Sequence, residues 1–147
     1  MDQSLTAVHS RLRTADTLIT DAGADVGGMW PRAAAWMLRI AIEQAILELW
    51  RAVSPQMERV TVRAQLLVLP KYIGEEAAAE ARLLWSELSA TAHHNDFELA
   101  PAVHELRRWQ EAARRVATAV DAAIAARKVQ ETTRASHGTH AGRTWAR

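Results

Sequence analysis

Apolar residues recur at three- and four-residue steps along most of this chain and almost nowhere in strict alternation, the period of helices rather than strands. Leu5, Val8, Leu12, Ala15 and Ile19 predict a first helix over about residues 3–21. The glycines of "DAGADVGG" then mark a loop. Pro31 stands where a first-turn proline belongs, and a second helix is expected to run to about Val53. Its apolar residues (Trp36, Leu38, Ile40, Ile42, Ile46 and Trp50 among them) point almost all round, which marks a central helix packed by several neighbours. The one segment with strand character is "VTVRAQLLVL". It lies between the helix-starting pair Ser54-Pro55 and the stop at Pro70, which favours a short third helix over about 56–69. A fourth helix is predicted from Gly74 to about His93, with Glu75, Glu76 and Glu80 in its early turns, where acids complement the helix dipole. A fifth runs from Pro101 to about Arg127 on the stripe Leu106, Trp109, Ala113, Val116, Val120 and Ile124, to which Val103 also belongs. Beyond Val129 the sequence has no period and few apolar groups.

The expectation is an all-α, five-helix up-and-down bundle over residues 1–128, followed by a disordered basic tail over 129–147. A chain of 147 residues is long enough to bury a core without help from metal. The absence of cysteine excludes disulfides and thiolate chemistry, and fits a reducing, cytoplasmic setting. Charges interrupt every apolar run, so neither a signal peptide nor a membrane span is expected. The net charge of +1 hides an asymmetry. Residues 127–147 carry Arg127, Lys128, Arg134, Arg143 and Arg147 against Glu131, a balance of +4, which leaves −3 for the rest. Such a tail either touches nucleic acid or a partner weakly, or is simply solvated.

Candidate chemistry gathers at the end of the fourth helix, in "SELSATAHHNDFELAP". Arg82, Ser86, Ser89 and His93 are spaced by four, three and four residues and share one face. A histidine at a helix C-terminus sits at the negative end of the dipole and, beside Ser89 and Asn95, suits proton transfer; the same placement also suits a purely structural last turn. His93 and His94 are adjacent and diverge by about 100°, so they cannot ligate one metal from a regular helix. On the second helix Arg39 and Glu43 stand one turn apart among tryptophans, which points to a half-buried ion pair that fixes helix register or to a guanidinium that faces an anion. Arg107, Arg108, Arg114 and Arg115 form a basic ridge interleaved with Glu105 and Glu111, a solubilising face rather than an RNA track. Trp36, Trp50, Trp85 and Trp109 fall on apolar stripes and are expected in the core. No phosphate-binding glycine loop, nucleophile elbow or zinc motif is present, and no cofactor is expected.

Taken together, "RAAAWMLRIAIEQAILELW", the short third helix and "LLWSELSATAHHNDFELAPAVHELRRW" resemble a HEPN-type domain over about residues 30–126. That resemblance implies a four- to five-helix bundle, commonly a homodimer, in a stress, toxin–antitoxin or phage-defence setting. Many such domains are metal-independent endoribonucleases; others bind RNA, nucleotides or partner proteins without catalysis. The family's signature pairs an arginine with a histidine after four to six intervening residues, and "SATAHH" stands in its place with His93 or His94 as the histidine. The corresponding arginine is missing: the residues five to seven positions before His94 are Ser89, Leu88 and Glu87. Arg82 is eleven residues before His93, about 16 Å along a helix. Arg39 from the neighbouring helix, or Arg82 from a second protomer, would have to supply the cation. The sequence therefore carries two expectations: an RNA-acting protein with His93, His94, Asn95, Ser89, Arg39, Glu43 and Arg82 as its site, or a non-catalytic module for dimerisation or partner binding.

Overall fold

A computed structural model describes residues 3–21, 30–92 and 99–138. Among these residues there is no strand, and the elements are helices throughout: α1 (Gln3–Thr20), α2 (Trp30–Val53), a 3-10 turn (Pro55–Arg59), α3 (Val62–Val68), α4 (Pro70–Ile73), α5 (Glu75–Ala92) and α6 (Val103–Gly138). The all-α expectation holds, with six α-helices where five were expected.

The contacts between helices fix their directions. Arg11 of α1 bonds Gln44 of α2. Glu43 of α2 meets Trp85 of α5, while Trp50 lies edge-on to Tyr72, just before α5 begins. Glu87 and Glu80 of α5 reach Arg108 and Arg115 of α6, and Asp16 and His9 of α1 reach Arg114 and Asp121 of α6. From α2 to α5, from α5 to α6 and from α1 to α6 the numbers rise on one side as they fall on the other, so α1, α2, α5 and α6 alternate in direction. The central helix is α2, which packs against α1, α5 and α6. Its Leu38, Ile42, Ile46, Leu49 and Trp50 are fully buried, joined by Val8, Leu12, Leu84, Leu88, Leu106, Val116 and Val120 from the surrounding helices. Val8, Leu12, Ala15 and Ile19 of α1 and the stripe of α6 from Leu106 to Ile124 thus face the core as their spacing requires, whereas Val103 is exposed at the start of α6.

The region expected as one helix over 56–69 is three pieces. Pro55 starts a 3-10 turn, and Val60 and Thr61 are extended at ψ 149° and 147°, a β-branched break that no continuous helix crosses. Buried Gln65 spans this break, its side-chain amide donating to the carbonyls of Met57 at 2.8 Å and Val60 at 3.0 Å. Pro70 does not stop the chain; it is the first residue of α4, where a missing N–H costs nothing. Gly74, at φ 84°, then turns the backbone through the left-handed region into α5.

The last helix does not end near Arg127. It continues to Gly138, and residues 128–136 are exposed on all sides. An apolar stripe is absent there, but Ala, Arg, Lys, Gln and Glu are strong helix formers, and Arg127 pairs with Glu131 one turn on at 2.8 Å. Helix continues without a break across the boundary expected at 128, and 139–147 lie outside the described residues. No helix among the described residues is long and apolar enough to cross a membrane.

Candidate functional site

Arg39 and Glu43 form the half-buried pair that their spacing indicates, with Nε 3.0 Å from Oε1. The same oxygen accepts the indole N–H of Trp85 from α5 at 3.1 Å. One carboxylate therefore serves a guanidinium on its own helix and an indole on the next. Glu43 thus makes an in-helix pair and a cross-helix bond at once. In this position Arg39 is neutralised by a close carboxylate, which weakens its pull on any phosphate.

The antiparallel register of α2 and α5 carries Arg39 one turn beyond Glu43, to the level of Ser89, and Trp36 to the level of Ala92. Ser89 Oγ is buried with no hydrogen-bond partner among the described residues. His93, His94 and Asn95, which the sequence singles out at this end of α5, lie outside the described residues. Trp36, expected in the core, is instead 58% exposed. The all-round apolar pattern of α2 hid this, because the helix has more apolar faces than its neighbours cover.

Arg82 stands apart from this cluster. Its guanidinium reaches Glu75 on its own helix at 3.3 Å, and it lines a groove of about 300 Å³ between α3 and α5 with Arg63, Leu66, Leu67, Trp85 and Ser86. Arg63 has no carboxylate partner among the described residues. Beside this groove Leu67 of α3 is 71% exposed and Leu83 of α5 is 59% exposed. Of the sequence-derived site residues, then, Arg39 and Glu43 touch each other, Arg82 lines a groove whose wall includes the Trp85 that bonds Glu43, and Ser89 makes no side-chain bond among the described residues. Arg63, Leu67 and Leu83 were missed. For Leu67 and Leu83 the only sequence signal was an apolar residue out of phase with the core stripe, and for Arg63 there was none.

The basic ridge of α6 is more than a solubilising face. Arg108 pairs with Glu87 at 3.1 Å, Arg114 with Asp16 at 3.0 Å and Arg115 with Glu80 at 2.6 Å, so it joins α6 to both α5 and α1. The hydrogen bonds that Arg115 donates to Glu80, before any other cause, hold its guanidinium above its ordinary range. Among the described residues no three His, Asp or Glu side chains converge as a metal site would need. Comparison with family models, with curated proteins and with solved structures returns no match.

Proposed function

We propose that this chain is a non-catalytic, self-associating helical module, in which the outer face of α5 and the adjoining strip of α3 form a homodimer interface. The observation that carries the reading is the order of side chains on α5. Glu75, Glu76, Ala79, Leu83, Ser86 and Ala90 are its exposed positions, with Arg82 on the flank. Two copies of α5 laid antiparallel about a two-fold axis at Ala79 set Glu76 opposite Arg82 of the partner copy, and Arg82 opposite that copy's Glu76. A C2 interface requires this kind of self-complementary order. The small Ala79 lets the backbones approach. Leu83 and Leu67 supply apolar area that is otherwise exposed to water. Stable homodimers bury roughly 1,200–2,000 Å² in total, so the α3 strip has to join the α5 ridge.

The charge pairing sets the test. In sedimentation equilibrium, Glu76→Arg alone and Arg82→Glu alone place like charges across the axis and weaken association. The double variant restores opposite charges and recovers it. Failure of the double variant to recover what the single variants lose overturns the reading.

A second reading keeps the HEPN-like, RNA-acting role. It rests on the register that carries Arg39 toward the helix end preceding His93 and His94, and it requires Arg39 to exchange Glu43 for a scissile phosphate. Cleavage would then be metal-independent, with one of the two histidines as general acid or base. Loss of RNA cleavage in a His93→Ala, His94→Ala variant that keeps its helical spectrum is the result that favours it.

A further inference from the structure

On the side of the bundle away from α5, the structure gathers basic groups that neither reading uses. His9 and Arg13, one turn apart on α1, face Arg114 and Thr118 of α6 across a cleft of about 350 Å³ floored by buried Leu12. Two carboxylates belong to this region, and both are engaged from its flanks. Asp121 Oδ2 stands 2.8 Å from His9 Nε2, and Asp16 Oδ2 stands 3.0 Å from Arg114 Nη2. Neither lines the cleft. The third basic group, Arg13, has no carboxylate partner among the described residues. Two guanidiniums and an imidazole thus line one small concavity whose wall holds no acid.

We infer that this cleft between α1 and α6 binds a phosphoryl oxyanion. The flanking carboxylates orient the site rather than fill it. Asp121 accepts from His9 Nε2–H, so Nδ1 donates to an anion only in the imidazolium form, and Asp16 takes one Nη of Arg114 and leaves the remaining N–H groups of its fork. A tetrahedral anion between Arg13 and Arg114 relieves the repulsion of two like charges and accepts charge-assisted hydrogen bonds from both. Thr118 adds a wall and no donor, since its hydroxyl already donates to the Arg114 carbonyl at 2.9 Å. All the polar groups are partly solvated, so binding is weak and salt-sensitive, with a Kd on the order of 1 mM for a bare anion. The site rests on neither the dimer nor the RNase reading. The phosphoryl group could be a free or terminal monoester, or a diester of a nucleic acid backbone.

Titration of the full chain followed by amide NMR at constant ionic strength separates these sources. One arm uses inorganic phosphate; the other uses a short single-stranded oligoribonucleotide without a terminal phosphate. Saturable shifts centred on His9, Arg13 and Arg114 are expected in at least one arm: the phosphate arm alone marks a monoester site, and response to the oligonucleotide marks backbone recognition. Arg13→Gln, which breaks no described ion pair, should weaken binding at least tenfold with an unchanged melting temperature. His9→Asn should weaken it less and serves as the second variant. Absence of saturation in both arms overturns the inference, as does Arg13→Gln binding with wild-type affinity.

Discussion

The Glu87 carboxylate on α5 accepts the indole N–H of Trp109 on α6 at 2.7 Å. Its other oxygen takes Arg108 at 3.1 Å, so a single side chain joins the buried stripe of α6 to the basic ridge beside it. Glu87→Ala strands a buried indole donor and should cost about 1.5–3 kcal/mol in thermal or urea unfolding. Glu87→Gln keeps an acceptor for Trp109 and should cost distinctly less. Equal losses from the two variants would show that charge, and not the hydrogen bond, is what matters there.

Glu80 and Arg115 make the second junction of α5 with α6, and its pH dependence has a definite sign. A guanidinium held above its ordinary range contributes fully below its unfolded value and loses that contribution only as pH rises through the folded one. That window lies beyond ordinary alkaline conditions. Glu80→Gln should therefore lower the melting temperature by a similar amount at neutral and at moderately alkaline pH. A difference from wild type that vanished on alkaline titration would contradict the pairing.

Tryptophan position separates core from surface sharply. Trp50 is fully buried and Trp36 is 58% exposed on the same helix. Trp50→Ala should cost about 3–5 kcal/mol, whereas Trp36→Ala should stay within about 0.5 kcal/mol of wild type in chemical denaturation. A large loss at Trp36 would mean that this face is covered in the folded protein.

How much of this was legible in the sequence depends on how local each determinant is. The stripes Val8–Leu12–Ala15–Ile19 and Leu106–Trp109–Ala113–Val116–Val120 face the core because one helical period carries the whole signal. The Arg39–Glu43 pair was readable for the same reason, being two residues of one helix. The break at Val60 and Thr61 was not. It depends on Gln65 reaching back to Met57 and Val60, a bond between segments that periodicity does not register. The exposure of Trp36 and Leu83 was equally hidden, since it depends on which apolar faces the neighbouring helices leave uncovered. The extension of α6 was lost to the opposite error. Without an apolar stripe its polar residues read as disorder, although their intrinsic propensity favours helix.

That extension gives a prediction of its own. Truncation after Lys128 removes helix with no tertiary packing around it, so the helical circular-dichroism signal per chain should fall while the unfolding midpoint shifts by no more than a degree or two. A large destabilisation would show that residues 129–138 pack against something in the folded protein.

The dimer account is tested most directly by the mass of the protein in solution at about 100 μM, measured by sedimentation equilibrium for wild type and for a Leu67→Glu, Leu83→Glu variant. Two chains for the wild type and one chain for a variant of unchanged helicity is the expected result. A monomeric wild type at that concentration, or a variant that remains dimeric, contradicts it.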